Sequence, residues 1–229
     1  MARIESREMV VSAFGIREGL LLEAARVTPV VADPGDARLR SVMQLAERSH
    51  YEAPHARQVQ RLALKIFDGL AGRLELGSSD RAVLSDAALL HDIGYHINFE
   101  AHHKHSYHLI VHAELLGMTP AERVMVANVA RYHRGTPPKR EHRAYAGLDR
   151  PLRRRIKRLA AILRVADGLD RGHSGAVEDI QMKLSHTEFE IRVVPASDSY
   201  DLRLELWGAA RKSDLRAEVL GVPVKIEAA

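Results

Sequence analysis

The chain has 229 residues, 46% of them hydrophobic and 28% charged, which is typical of a folded globular protein and excludes a disordered one. It contains no cysteine, which excludes disulfides, thiolate metal sites and cysteine nucleophiles. Any bound metal must therefore use nitrogen and oxygen ligands. The sequence shows neither a signal peptide nor an apolar run of transmembrane length, so we expect a cytoplasmic protein with no membrane partner.

The formal net charge is +4, and the positive excess lies between residues 131 and 158, where many arginines and lysines face only Glu141 and Asp149. Such a cluster indicates an anionic partner. Nucleic acid, polyphosphate and a phosphorylated small molecule all fit, because electrostatic attraction does not depend on sequence or size. A solvated helix face would give the same pattern.

Residues 1–36 predict a short N-terminal segment, with a strand over MVVSAF and a linker over VTPVVADPGDAR. Residues 37–175 then show helical periodicity and predict a bundle. Thr119 and Glu122 are spaced as a capping box, Ser79 or Asp80 is expected to cap an earlier helix, and Gly172 or Gly175 to end the last one. The predicted helices are LRSVMQLAERS, HARQVQRLALKIFDGLAGRL, SSDRAVLSDAALLHDIG, HSYHLIVHAELLG, TPAERVMVANVARYHRG and LRRRIKRLAAILRVADGLDR.

Residues 176–229 predict a small α+β domain, because the hydrophobic period changes after Gly175. The alternating segments DIQMKLSHTEFEIRVVPA and DSYDLRLELWG are expected to form strands. They are followed by a helix over AARKSDLRAEVLG and a last short strand over VPVKIEAA. The predicted fold class is thus mainly α, a helical bundle followed by a small α+β domain.

The doublet His91-Asp92 lies at the end of a helix with an apolar inner face and is followed by the helix stop Ile93-Gly94. A buried carboxylate beside an imidazole is costly unless a cation is present. A divalent metal would satisfy both groups. Alone, such a doublet is more often a capping aspartate beside a core histidine.

Two further polar residues lie on apolar helical stripes. His55 shares its stripe with Val59 and Leu62, and Asp167 extends a buried line in a helix whose other side is rich in arginine. A buried histidine or carboxylate needs a partner. His55, His91, Asp92 and Asp167 are therefore predicted to bind one divalent metal ion: Mn, Fe, Ni, Zn or Mg.

Between the doublet and Asp167 lie several more histidines, of which His105 and His133 are the candidates for a second metal. Lys104, Arg134 and Arg171 are predicted to neutralise phosphoryl oxygens of a substrate. Asp170 is expected to orient Arg171, and His173 to lie on the surface. One metal or a close pair would lower the pKa of bound water and hold the phosphoryl group, so His91 and Asp92 carry the predicted catalysis.

The segments HARQVQRLALKIFD, LLHDIGYHINFEAHHKHSYHLI, VANVARYHRG and ILRVADGLDRGH resemble the HD region of the exopolyphosphatase/guanosine pentaphosphate phosphohydrolase (Ppx/GppA) family. The tail LELWGAARKSDLRAEVLGVPVKIE is similar to that family's small C-terminal domain. The resemblance implies an HD-type metal-dependent phosphohydrolase fold and a homodimer. The family's actin-like domains, which hold its exopolyphosphatase site, have no counterpart here, while the HD ligands that known members often lack are present.

These observations predict a metal-dependent phosphohydrolase that cleaves a phosphoester or phosphoanhydride of a nucleotide or a related small molecule. The alternative is a regulatory module without catalysis, which binds polyphosphate or a nucleotide through its basic helix and loop. A third hypothesis is that the chain is part of a longer phosphatase.

Overall fold

A computed structural model describes residues 17, 34–212 and 218–229. The strand predicted over MVVSAF and most of the predicted linker lie outside these residues. The helices are α1 (Pro34–Arg48), α2 (Ala53–Leu70), α3 (Ser78–Leu90), α4 (His102–His112), α5 (Pro120–Arg131), α6 (Arg143–Ala146), α7 (Arg150–Gly168) and α8 (Arg203–Arg211), with a 3-10 turn at Ile93–His96. The strands are β1 (Val177–Leu184), β2 (Phe189–Pro195) and β3 (Val224–Ala228).

The fold is mainly helical with one small sheet, as the sequence predicts. The capping box at the start of α5 is confirmed, since Thr119 Oγ1 accepts from the Glu122 amide at 3.2 Å and Glu122 Oε2 accepts from the Thr119 amide at 2.9 Å. The cap of α3 differs from the prediction, because Gly77 is the N-cap and Asp80 lies at the third helical position. Helix α7 ends at Gly168, before the predicted Gly172 or Gly175.

The strand predicted over DSYDLRLELWG is wrong, because this segment leads into helix α8. The alternation of Leu202, Leu204 and Leu206 imitates a strand. In the structure Leu202, Glu205 and Ala209 are buried and Leu204 is 48% exposed, so burial follows the helical period. The linker prediction is also too long, since α1 begins at Pro34, where a proline at the first helical position costs no hydrogen bond.

The sheet has the order β1-β2-β3, with β1 and β2 antiparallel and β2 and β3 parallel. Its buried residues Ile180, Ile191 and Val193 belong to the same hydrophobic core as the helices. The predicted boundary at residue 175 remains a prediction. None of the described helices is both long and apolar enough to cross a membrane.

The turn after α3 packs directly on α4. The Gly94 amide donates to Ser106 Oγ at 2.9 Å, and that hydroxyl donates to the His91 carbonyl at 2.6 Å. A Cβ atom at Gly94 would lie 2.0 Å from the His102 carbonyl oxygen. The absence of a side chain at Gly94 therefore allows the doublet turn to reach α4.

Gly94→Ala is expected to lower the free energy of unfolding by about 2–3 kcal/mol, because the methyl group would push two packed backbone segments apart. Urea unfolding of the purified chain measures this change. Gly72→Ala is the matched control, since a Cβ atom there meets nothing within 4 Å. Equal stability of the two variants would contradict the close packing at Gly94.

Candidate metal centre

Four buried histidines point their Nε2 atoms toward one region between α2, α3, α4 and the end of α5. In each of them Nδ1 is engaged elsewhere. His91 donates to the Ala88 carbonyl at 2.7 Å, His133 to the Ala130 carbonyl at 2.7 Å, and His102 to the Phe99 carbonyl at 3.0 Å. A carbonyl can only accept, so Nδ1 carries the proton and Nε2 a free lone pair.

The fourth histidine, His55, is held by a carboxylate. Its Nδ1 lies 2.8 Å from Asp170 Oδ2, and both side chains are 1% exposed. Asp170 Oδ1 also accepts from the Gly175 amide at 3.0 Å. A carboxylate behind an imidazole fixes its orientation and increases its basicity, as is usual for histidines that bind metals.

The first group of candidate ligands consists of His55, His91 and Asp92. The Nε2 atoms of His55 and His91 are 3.3 Å apart, and Asp92 Oδ2 lies 3.7 and 3.4 Å from them. Asp167 Oδ1 lies 3.7 Å from His55 Nε2 and 4.0 Å from His91 Nε2. The four residues predicted as one metal site therefore lie together.

The second group consists of Asp92, His102 and His133. Asp92 Oδ1 lies 3.1 Å from His102 Nε2 and 3.2 Å from His133 Nε2, and the two nitrogens are 3.4 Å apart. Each oxygen of Asp92 thus faces a different histidine pair. Asp92 is therefore shared by both groups of candidate ligands, each of which could hold a divalent ion.

The arrangement fits a divalent metal because acceptor atoms face one another across it, although His102 Nε2 also lies 3.3 Å from the donor Arg134 Nη1. Asp92 Oδ1 is buried and has no hydrogen-bond partner among the residues that the structure describes. The Nε2 atoms around it carry lone pairs, so acceptors face acceptors. A cation between them would satisfy every member, and nitrogen with carboxylate oxygen suits Mn, Fe, Ni or Zn.

The ionisation of the cluster agrees with cation binding. Burial opposes ionisation of Asp92, but His91, His102 and His133 hold the pKa of its carboxyl well below the usual range. Burial lowers the pKa of His133 well below its ordinary value, against the attraction of Asp92. The site thus holds an ionised carboxylate and a neutral imidazole, the protonation states in which both groups bind metals.

Asp167 is oriented by a lysine from the C-terminal part of the chain. Its Oδ2 forms an ion pair with Lys212 Nζ, while its Oδ1 faces His55 and His91. Despite burial, Lys212 and His133 lower the pKa of Asp167 below its ordinary value. Helix α8 approaches closely enough because Gly168 meets Gly208, where a Cβ atom would lie 2.7 Å from the Gly168 carbonyl oxygen.

A cavity of about 360 Å³ opens at the cluster and is lined with cations. Five cationic side chains lie in its wall together with Tyr95: Arg134, Arg164, Arg171, Arg211 and Lys212. Burial and the nearby Asp92 raise the pKa of the Tyr95 hydroxyl to about 12, so it remains a proton donor at neutral pH. Five positive groups and a hydroxyl around a cavity form a receptor for an anion such as a phosphoryl group.

Of the residues predicted to contact substrate phosphate or a second metal, Arg134 and Arg171 lie in the cavity wall, but two others do not lie at the site. Lys104 is exposed on α4 and is absent from the cavity wall. His105 does not belong to either described ligand group, and His102 takes the place expected for it. His102, Tyr95 and Lys212 were not expected from the sequence. The many histidines in the sequence of α4 indicate that one of them could be a ligand, but they do not indicate which one faces inward.

One prediction about the neighbours of the site is wrong. Asp170 is expected to orient Arg171, but its carboxylate contacts His55 and the Gly175 amide. His173 is exposed, as expected, and its ring also stacks on that of His55 with centroids 3.6 Å apart and planes 4° apart. Both residues therefore help to orient His55.

The basic face of α7 is largely paired within the protein. Arg154 and Arg158 bind Glu75, Arg155 Nε lies 2.6 Å from Asp80 Oδ1, and Lys157 binds Glu218. Exposed ion pairs contribute little to stability. They nevertheless offset the positive charge that the sequence displays in this interval.

Fold and site together define a mainly helical domain with a buried histidine and aspartate cluster that could hold a metal ion. The profile of the family described as Ppx/GppA phosphatase, domain III, matches residues 37–210. The chain therefore belongs to the Ppx/GppA phosphatase domain III family.

The chain is similar to proteins named guanosine-5′-triphosphate,3′-diphosphate pyrophosphatase. It is 28% identical to one from Pseudoalteromonas atlantica over 208 residues, which cover 88% of this chain and 40% of the relative. It is 30% identical to one from Vibrio vulnificus over 162 residues, which cover 70% of this chain and 32% of the relative. The chain thus spans two fifths or less of the length of these relatives.

Asp170→Asn is expected to weaken Mn²⁺ or Zn²⁺ binding about 10–100-fold, because a neutral amide orients His55 less firmly and makes it less basic. Titration calorimetry of the metal-free protein measures the change. Asp201→Asn, at an exposed ion pair with Arg203, is the matched control. Unchanged metal affinity in Asp170→Asn would show that Asp170 does not support the site.

Proposed function

We propose that this chain is an HD-type metal-dependent phosphohydrolase. The observation that carries the proposal is the position of Asp92, whose two oxygens each face a pair of histidine Nε2 atoms 3.1 to 3.7 Å away. His55, His91, Asp92 and Asp167 would hold one divalent ion, and His102 and His133 with Asp92 a second. The ion is one of Mn, Fe, Ni, Zn or Mg.

A bound ion or pair of ions would supply a water of lowered pKa and a positive charge for the phosphoryl oxygens. The residues of the chain do the rest. Arg134 and Arg171 bind the phosphoryl oxygens, Arg with the bidentate geometry that suits phosphate. Tyr95 offers a further donor, and Lys212 holds Asp167 so that Oδ1 faces the histidines.

The proposed substrate is a phosphorylated small molecule of the nucleotide class, cleaved at a phosphoester or a phosphoanhydride. The relatives named as pyrophosphatases of a guanosine polyphosphate support this class. The cationic cavity supports it independently. The predicted homodimer and cytoplasmic location remain predictions that belong to this proposal.

Asp92→Ala is expected to abolish metal binding and to reduce hydrolysis at least about 100-fold, because it removes the carboxylate shared by both ligand groups. The test measures bound transition metal and phosphate release from a panel of nucleoside mono- and polyphosphates, with each candidate ion added. Asp68→Ala is the control, since its carboxylate forms an exposed ion pair with Arg81. A purified protein that binds no metal, or whose hydrolysis Asp92→Ala leaves unchanged, contradicts the proposal.

The alternative, a regulatory module that binds polyphosphate through its basic helix, is less well supported. On α7, Arg154, Arg155 and Arg158 are engaged by Glu75 and Asp80. Arg134, by contrast, lines the cavity at the candidate ligands. Anion binding is therefore expected in the cavity and not along the helix.

Arg134→Gln is expected to weaken the binding of inorganic pyrophosphate about tenfold or more, since it removes a charge-assisted hydrogen bond. Arg154→Gln, which changes a paired arginine of α7, should leave binding within about twofold. Calorimetry at two salt concentrations and with a chelator measures both. The reverse order of the two variants, with binding that persists in chelator, would favour the regulatory module.

A further inference from the structure

A second cavity, of about 480 Å³, continues from the candidate metal centre toward the surface. It shares Asp92, Tyr95, Arg134 and Arg171 with the first cavity. Its other end is lined by side chains with rings, among them Tyr51 and Phe99, and not by further cations. A ligand that filled both ends would need a phosphate at one end and a flat, mostly apolar group at the other.

The aromatic end presents two rings to the cavity. Phe99 is 72% exposed and Tyr95 is 38% exposed, and their centroids lie 5.4 Å apart with planes tilted by 43°. Such exposure of a phenylalanine beside a charged cavity leaves apolar surface in water. A flat ligand ring stacked on Phe99 would remove that surface from water.

One candidate metal ligand, His102, contacts both the Tyr95 ring and the Phe99 backbone. Tyr95 stacks on His102 with centroids 3.8 Å apart, and the Phe99 carbonyl accepts from His102 Nδ1 at 3.0 Å. One face of Tyr95 is thereby covered. The more exposed ring is that of Phe99, whose backbone is held next to the candidate site.

The wall of this cavity also includes His50, Tyr51 and Glu52. Glu52 Oε2 accepts from His173 Nδ1 at 2.7 Å, and the Glu52 side chain is 54% exposed. A carboxylate accepts about four hydrogen bonds. Glu52 can therefore also accept from a ring N–H or an exocyclic amino group of a bound base.

We propose that this second cavity is a subsite for the nucleobase of a nucleotide, with the base on Phe99 and the phosphate at Arg134 and Arg171. The inference rests on the proposed function and narrows its substrate class. A nucleotide is favoured over a polyphosphate chain or a sugar phosphate, because only the nucleotide has a ring with N–H donors. Stacking accepts any base, so the subsite selects a ring and not a particular base.

Equilibrium binding to the full chain tests the subsite without requiring hydrolysis. The probes are guanosine 5′-monophosphate and ribose 5-phosphate, which differ by the base alone, each titrated with Mn²⁺ present. The wild-type protein is expected to bind the nucleotide about tenfold more tightly or better. The change in fluorescence of Trp207, which lines the first cavity and is the single tryptophan of the sequence, gives a second readout.

Phe99→Ala should bring the two affinities within about twofold of each other, and Phe99→Trp should restore the preference. Tyr200→Ala is the matched control, because Tyr200 is a 43% exposed aromatic residue outside the wall of either cavity, and it should keep the full preference. Equal binding of both probes by the wild type, absence of binding, or a preference that Phe99→Ala does not change would overturn the subsite. A preserved preference in a protein that hydrolyses no phosphate would contradict the proposed function and leave the subsite intact.

Discussion

The structure depends on one carboxylate, that of Asp92, which lies between two pairs of imidazole nitrogens. Burying four histidines with their lone pairs directed at an anion is unfavourable without a cation. The fold nevertheless holds every one of them in place. Each Nδ1 has an acceptor of its own, so the Nε2 atoms cannot turn away from Asp92 without breaking a hydrogen bond. An arrangement that is costly in isolation and rigidly supported is what a metal centre requires.

The helices can approach Asp92 closely because glycines lie at two helix contacts. At Gly94 the doublet turn meets α4, and at Gly168 helix α7 meets Gly208 of α8. The second contact brings Lys212 to Asp167. The C-terminal part of the chain thus contributes to the candidate site and does more than cover the bundle. A division of the chain into a helical unit with the chemistry and an α+β unit without it would miss this contribution.

The sequence allowed part of the site to be predicted because burial of a polar residue leaves a trace in helical periodicity. His55 and Asp167 interrupt apolar stripes, and the structure places both beside His91 and Asp92. His102 left no such trace, since five of the eleven residues of α4 are histidines and the apolar pattern does not tell which one faces inward. Lys212 depends on a contact between distant segments. The strand prediction at α8 failed because three alternating leucines have the period of a strand, although Leu204 is exposed on the helix that forms there.

Charge in the sequence also proved to be a poor guide to charge in the fold. The densest run of arginines lies on α7, but Glu75, Asp80 and Glu218 come from other parts of the chain to meet it. The cations that line the cavity at the candidate ligands come from several elements: Arg134 follows α5, Arg164 lies near the end of α7, and Arg171 follows α7. Arg211 and Lys212 lie at the end of α8. A phosphate bound among them would contact side chains that are far apart in the sequence. Because Asp92 faces histidines and Asp167 pairs with Lys212, the arginines of the wall keep their positive charge available for an external anion.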